Sequence, residues 1–351
     1  LWGSVCYTAA NIPYGSMASV ITGDPGERTS LSTFRSLGAM FAAIPISVIS
    51  PLILFREENG AQVVVPERYT LLAAIYGGLA MLFYLLCYKL TTERIQLPTK
   101  KAEKGVGFFT LIGKLLKNRA LLAIIGAALA MLLCQLLSQS MNIYLYTDYF
   151  NSAKLLSVAS LAAFIPMLVM APVARKLSDR FGKKECSIVG VAIAAFFYGL
   201  LFVLHTESAT VFIVLTLLAS IGMGFFNMVI WAFITDIIDY QEVLTGSRDD
   251  GTIYAIYSFS RKLGQALAGG IGGFALGAVG YVSVQAGQPA VQQSAQTLRG
   301  IYNILTLAPA IGYVVVLLLL VLVYPLGKKQ VEANVAALRA RRAQADTDAA
   351  L

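Results

Sequence analysis

Hydrogen-bonding side chains recur at helical spacing inside apolar segments of this sequence. Gln135, Gln139, Asn142 and Tyr146 advance by 4, 3 and 4 residues, so they share one face of an α-helix. Amides facing lipid would lack partners at a cost of several kcal/mol each, so this face must meet a cavity or another helix. Amides beside a tyrosine ring could hold and stack a sugar; hydrogen bonding between helices is the alternative.

Two further segments combine polar and aromatic groups in the same way. Asn227 and Trp231 lie four residues apart, with the same two interpretations. A cationic stripe with steps of 4, 4, 3 and 4 residues consists of Tyr254, Ser258, Lys262, Gln265 and Gly269. A lysine within a bilayer needs a partner, so Lys262 and Gln265 are predicted to line a binding site. The alternative for Lys262 is snorkelling to the membrane surface.

A pair of carboxylates, Asp236 and Asp239, is spaced for one helix face. Paired carboxylates can perform acid–base chemistry, but an intramembrane aspartyl enzyme needs its aspartates on two facing helices, and no enzyme is predicted. The adjoining hydrated loop favours a gating cluster of salt bridges, with Arg261 or the basic loop 175–184 as the partner. The predicted gating residues are Asp179, Arg180, Asp236, Asp239 and Arg261.

The composition places these residues in a membrane. Of 351 residues, 57% are hydrophobic and 13% are charged, against about 25% charged in soluble domains. The apolar runs are long enough to cross a bilayer as helices, and they do not alternate as barrel strands do. The four cysteines show neither metal-ligand nor disulfide spacing, so no metal site is predicted. The predicted fold class is an all-α polytopic membrane protein.

Nine transmembrane helices are predicted, arranged as three and six. Their approximate ranges are 1–21, 34–54, 69–89, 120–146, 155–174, 186–204, 209–235, 253–280 and 301–326. The resulting domains are 1–89 (three helices), 90–119 (a polar central loop), 120–327 (a six-helix bundle) and 328–351 (a basic tail).

The basic residues predict the orientation of this chain. Alternating the spans places 23 of the 27 Lys and Arg residues on one face, which the positive-inside rule makes cytoplasmic. The net charge of +8 therefore reflects topology, and no nucleic-acid partner is predicted. The central loop and the C-terminus would be cytoplasmic and the N-terminus outside. Nothing in the sequence would deliver the N-terminus to that side, and Leu1 is not a methionine. We therefore expect three preceding helices, which would give twelve helices in two bundles of six.

Four segments carry a resemblance to a known family. The loop RKLSDRFGKKE (175–185) resembles the D-R-x-G-R/K-R/K loop of the major facilitator superfamily. NIPYGSM (11–17), DPGERTSLSTFR (24–35) and the segment 236–273 resemble the glycoside–pentoside–hexuronide:cation symporters within it. The resemblance implies a major facilitator fold lacking its first three helices, where that family holds its main cation ligands.

Individual site residues follow from the same resemblance. It implies that Thr8 and Asn11 contribute to a cation site, and that Asn11, Gly15, Arg35 and Lys262 contribute to a sugar site. Melibiose-type members have an aspartate where this chain has Asn11 and a tryptophan where it has Gly15. This difference favours a glucuronide or a pentoside over melibiose. For Arg35, snorkelling is an equal alternative.

The resulting hypothesis is a sugar:cation symporter that works by alternating access. It would be a monomer in the bacterial inner membrane, with a glycoside, pentoside or glucuronide as substrate. It would need no cofactor beyond co-transported Na⁺ or H⁺. The alternatives are a receptor with a transporter fold and an inactive fragment.

Overall fold

The computed structural model describes residues 2–58, 61–64, 67–95, 113, 118–246, 250–282 and 293–350. Almost all of these residues are helical, as the long apolar runs predict. In the first part of the chain the elements are α1 (Trp2–Ser16), α2 (Ala18–Ile21), α3 (Pro25–Leu54), β1 (Phe55–Glu58), β2 (Ala61–Val64) and α4 (Glu67–Leu90).

The second part of the chain forms the larger bundle. Its helices are α5 (Arg119–Tyr144), α6 (Ala153–Ala162), α7 (Ile165–Phe181), α8 (Lys183–Leu204), α9 (Ala209–Thr245), α10 (Asp250–Ala278), α11 (Ala295–Leu318) and α12 (Lys328–Ala350).

The local sequence determines where some of these helices begin and end. The Asn118 side chain caps α5 by accepting from the Leu121 amide at 3.1 Å. Gly182, at φ +99°, makes the turn between α7 and α8, where a side chain would meet Glu185 and Lys328.

The core of the larger bundle lies around α9. Its buried side chains include Phe226 and Phe233, and they pack with Tyr257 of α10 and Tyr324 after α11. Helices α8 and α9 meet at Gly190 and Gly222, where a Cβ on either residue would overlap the backbone of the other helix. Small residues therefore allow these two helices to pack closely.

Apolar surface covers much of the outside of the molecule. On α4 only Leu72 is buried, while Met81, Phe83 and Tyr88 are among its many exposed apolar side chains. An apolar surface of this extent is unsuited to water and matches a bilayer. Within the described residues, six helices are long and apolar enough to cross a membrane. The chain is therefore a multi-pass membrane protein.

These six helices correspond to six of the nine predicted spans. The other three ranges, 1–21, 34–54 and 253–280, are also largely helical, within α1 to α3 and α10, but those helices are not among the six. Much of the central loop, 96–112 and 114–117, lies outside the described residues, so the predicted division into domains stays a prediction.

Three local features differ from the predicted fold. An antiparallel hairpin pairs Phe55 with Val64 and Glu58 with Ala61, in the connection between the second and third predicted spans of a fold predicted to be all-α. The fifth predicted span is divided at residues 163–164 into α6 and α7, just before Pro166. The basic tail forms helix α12, whose apolar face buries Val331, Val335 and Leu338 against the bundle. The helical periodicity of the long spans does not predict a hairpin, a break within a span or the packing of a tail helix on the bundle.

Candidate functional site

Side chains from three other helices meet around one arginine of α3. Arg35 of α3 donates from Nη2 to Asn11 Oδ1 of α1 at 3.3 Å and to the Tyr254 hydroxyl of α10 at 2.5 Å. Its guanidinium carbon lies 3.8 Å from the ring centre of Trp231 on α9. Asn11, Arg35 and Trp231, predicted from three distant segments, are therefore brought together.

Aromatic rings build the walls of this site. Trp231 stacks on Tyr254 with ring centres 5.5 Å apart and an interplanar angle of 24°. Tyr257 meets the edge of the same indole at 5.4 Å. Tyr14 approaches Arg35 from α1, with its ring centre 5.0 Å from the guanidinium carbon. A cavity of about 160 Å³ lies beside these groups.

Gly15 belongs to this site because it leaves room for a partner. A Cβ at this position would overlap the ring of Tyr254. The missing side chain lets α10 bring the Tyr254 hydroxyl to Arg35. Gly15 was predicted as a substrate-binding position, and the structure gives it a steric role at the same place.

Arg261 lies in this site and is not in the gating cluster. Its guanidinium carbon is 5.2 Å from the ring centre of Trp231 and 5.8 Å from that of Tyr257. The predicted partners Asp236 and Asp239 pair with other residues, described below. We define the arginine–tryptophan site as Asn11, Arg35, Trp231, Tyr254 and Arg261.

A second cavity, here called the amide cavity, lies within the larger bundle and is lined by three residues of the first polar stripe. It measures about 290 Å³, and Gln139, Asn142 and Tyr146 line it together with hydroxyl groups of α5, α6 and α9. Those hydroxyl groups belong to Ser138, Ser160, Thr216 and Ser220. No described residue of α1, α3 or α10 lines it, so this amide cavity is separate from the arginine–tryptophan site.

The other predicted site residues do not join either cavity. Gln135 and Asn227 are half-buried, and neither lines the amide cavity or the cavity beside Arg35. Lys262 and Gln265 are exposed on α10, more than two helical turns from buried Tyr254, so the stripe leaves the protein interior along its length. The side chain of Thr8 lies outside the described residues. The predicted roles of these five residues stay predictions.

Two buried ion pairs hold the end of the bundle at which α12 lies, here called the tail side. Lys183 Nζ lies 2.6 Å from Asp236 Oδ2, with side-chain exposures of 6% and 1%. Arg28 pairs with Asp239, with exposures of 1% and 5%. These four residues form the paired-charge cluster. The basic loop was one of two partners predicted for the aspartates, and it supplies Lys183.

Arg28 is the member that the sequence did not indicate. It lies in the DPGERTSLSTFR segment, and its only signal was a spacing of seven residues from Arg35, two turns along the same face of α3. Its pair with Asp239 joins α3 to α9. Beside it, Ser32 donates to the Met228 carbonyl, and Thr29 shares a 3.1 Å hydrogen bond with Ser178. Hydroxyl groups thus fasten α3 to α9 and α7.

Asp179 and Arg180, two of the predicted gating residues, are exposed on the tail side, and their gating role stays a prediction. Asp179 lies 3.6 Å from Arg175 one turn away, and both side chains are about half exposed. Arg180 places its guanidinium over the Phe181 ring. The carbonyl groups of both residues accept from Lys328 Nζ, at 2.6 and 3.1 Å. Both residues lie beside the paired-charge cluster without being part of it.

Helix α12 covers the paired-charge cluster. Arg342 lies 3.3 Å from Glu242, and Arg341 donates to the carbonyl groups of Glu242 and Val243. A cavity of about 250 Å³ separates Leu338 and Arg342 from the Arg28–Asp239 pair. Among the described residues, no group of three or more His, Cys, Asp or Glu side chains could hold a metal ion.

Comparison with known proteins relates the chain to transporters. It matches the MFS/sugar transport protein family across residues 1–328. The "Uncharacterized symporter YjmB" of Bacillus subtilis (strain 168) is 29% identical over 331 residues, covering 94% of this chain and 69% of that protein. The "Glucuronide carrier protein homolog" of Escherichia coli (strain K12) is 29% identical over 327 residues, covering 93% and 68%.

A relative with a different sugar in its name is also similar. The "Isoprimeverose transporter" of Lactiplantibacillus pentosus is 27% identical over 314 residues, which cover 88% of this chain and 63% of that protein.

Proposed function

This chain belongs to the MFS/sugar transport protein family, and from that premise we propose that it moves a sugar together with Na⁺ or H⁺ by alternating access. The family match confirms the resemblance carried by the loop and helix motifs. It also supports a transporter in preference to an enzyme. A glucuronide and isoprimeverose appear in the names of its relatives, so a sugar is the substrate class they share.

The observation that carries the proposal is the position of the arginine–tryptophan site. Its residues come from α1 and α3 of the first predicted bundle and from α9 and α10 of the second. A sugar bound there touches both bundles, so its binding depends on how the bundles are arranged. Transporters of this kind place substrate at the interface of two repeats that rock around it.

The paired-charge cluster supplies a gate on the tail side. The Arg28–Asp239 pair joins the two predicted bundles and is shielded from water. Opening that side requires the pair to separate and both charges to become hydrated, so the closed state is a discrete arrangement. The tail side would be the cytoplasmic side of a bacterial inner membrane, in keeping with the predicted excess of basic residues there.

The coupling cation would bind near α1. Asn11 presents its carbonyl oxygen at the arginine–tryptophan site, and Thr8 lies one turn earlier on the same helix. Oxygen atoms of amides and hydroxyl groups suit Na⁺, whereas a proton would need a titratable carrier. The amide cavity would provide a second sugar-contacting surface in the larger bundle, with Tyr146 as its aromatic wall.

Transport by the reconstituted protein tests this proposal. Vesicles with an imposed inward Na⁺ gradient, H⁺ gradient or neither are given p-nitrophenyl β-glucuronide or isoprimeverose. We expect accumulation of at least one sugar under one gradient, and the Trp231→Ala variant should bind that sugar at least tenfold more weakly because it loses a stacking surface. Trp231→Phe, which keeps an aromatic ring, should lose less.

Two results would contradict the proposal. The first is the absence of gradient-driven uptake and of sugar exchange for both sugars. The second is uptake that Trp231→Ala leaves unchanged, which would move the substrate away from the arginine–tryptophan site.

A further inference from the structure

We propose that Arg35 and Arg261 together bind an acidic group of the substrate, so that the transported sugar is a carboxylate or a sulfonate. This inference rests on the proposed sugar transport and adds the charge of the substrate to it. It assigns Arg261 a role in substrate selection.

The two guanidinium groups share one aromatic surface. The guanidinium carbon of Arg35 lies 3.8 Å from the ring centre of Trp231, and that of Arg261 lies 5.2 Å from it. Both arginines are half-buried. A carboxylate or sulfonate beside the indole would bridge the two groups, because guanidinium groups are suited to bidentate binding of such oxyanions.

The charge of this site is not balanced within the described residues. Neither Arg35 nor Arg261 forms an ion pair with a described carboxylate, whereas Arg28 on the same helix as Arg35 has Asp239. The α1 position that faces Arg35 is the neutral amide Asn11. Two like charges held close together in a half-buried site repel each other, and their burial is costly without a counter-charge. Aromatic contact offsets only part of that cost.

The surrounding groups fit a sugar better than a free inorganic anion. The adjoining cavity is lined by Tyr14, Trp231 and Tyr254, whose rings can pack on the C–H face of a sugar. Thr235 and the Tyr254 hydroxyl supply hydrogen-bonding groups at the same place. An uncharged sugar would satisfy the rings and hydroxyl groups but would leave both guanidinium groups without an anion.

Matched pairs of sugars test the inference in vesicles containing the wild-type protein. The first pair is p-nitrophenyl β-glucuronide and p-nitrophenyl β-glucoside, which differ only in the oxidation of C6. The second is methyl α-sulfoquinovoside and methyl α-glucoside, which differ by a sulfonate at the same carbon. We expect the acidic member of at least one pair to bind at least tenfold more tightly, measured by competition in exchange transport. Preference within one pair alone identifies the acid.

Substitutions then assign the preference to Arg261. Arg261→Gln should lower the acid-to-neutral affinity ratio by about tenfold, and Arg261→Lys, which keeps the charge, should retain most of it. Arg299→Gln, an exposed arginine on α11, is the matched control and should keep the wild-type ratio. Because the readout is a ratio, a variant with a lower amount of folded protein remains informative.

The outcomes separate the two proposals. Transport of the neutral sugars with no preference for the acids overturns the charge assignment and leaves sugar transport standing. An acid preference that Arg261→Gln does not change overturns the role of Arg261. Absence of binding for all four sugars overturns this inference together with the proposed function.

Discussion

Two arginines on one helix face have opposite surroundings in this protein. Arg28 and Arg35 lie seven residues apart on α3, about 10 Å along its axis, and both point toward α9. Arg28 is buried against Asp239, while Arg35 is half-buried against the Trp231 ring and neutral hydrogen-bond partners. Arg28 therefore has its counter-charge within the protein. Arg35 has only neutral partners among the described residues, so a ligand could neutralise its charge.

In the proposed mechanism, the contact between α3 and α9 provides both the gate and the binding site. Asp239 and Trp231 lie eight residues apart on α9, matching the spacing of their partners on α3. At the tail side, the buried Arg28–Asp239 ion pair joins the two helices. Farther along, Arg35 meets the aromatic ring of Trp231 and the amide of Asn11. Separating the helices at the proposed gate would therefore also change the proposed binding site.

The largest expected effect is at the gate. Asp239→Asn leaves Arg28 buried without its counter-charge, which costs about 3–5 kcal/mol of stability and should abolish sugar accumulation. Thermal unfolding in detergent and gradient-driven uptake measure the two effects. Asp179→Asn is the control, because its pair with Arg175 is about half exposed and should change stability by at most about 1 kcal/mol. Equal stability of the two variants would show that the buried pair does not hold the helices.

An intermediate effect is expected at the binding site. Gly15→Ala places a methyl group where the Tyr254 ring lies, so the ring must move away from Arg35 at a cost of about 1–3 kcal/mol. Sugar affinity should fall by about tenfold in equilibrium binding. Gly38→Ala on α3 is the matched control, since no atom lies within 4 Å of its added Cβ. Wild-type affinity in Gly15→Ala would contradict the steric role of that glycine.

The smallest effect is expected at the surface of the tail side. Arg342→Gln removes a partly exposed pair with Glu242 and should lower stability by about 0–1 kcal/mol, since exposed pairs contribute little. Thermal unfolding measures the change. If this variant were as unstable as Asp239→Asn, the docking of α12 would be as important as the buried pair, and the contrast between buried and exposed charges would fail.

The contacts of individual side chains could be predicted from the sequence only in part. Lys262 was predicted to reach the binding site, yet its neighbour Arg261 contacts Trp231 and Lys262 is exposed. Consecutive side chains on a helix point about 100° apart, and periodicity alone does not determine which face of α10 meets α9. Asp236 and Asp239 were predicted to pair with Arg261 or the basic loop, and Lys183 of that loop does pair with Asp236. The partner of Asp239 is instead Arg28, which lies over two hundred residues away in sequence.

The sequence by itself determined the membrane class, the helices and the family. Continuous apolar runs can satisfy their backbone groups in lipid only as helices, and the loop and helix motifs carry the family resemblance. Tertiary structure alone decided that Arg28 pairs with a carboxylate while Arg35 meets none among the described residues, that Arg261 joins the indole, and that the Gln139–Tyr146 face lines a separate cavity. Those facts depend on the rotation and closeness of packed helices. Spacing within a single helix does not encode them.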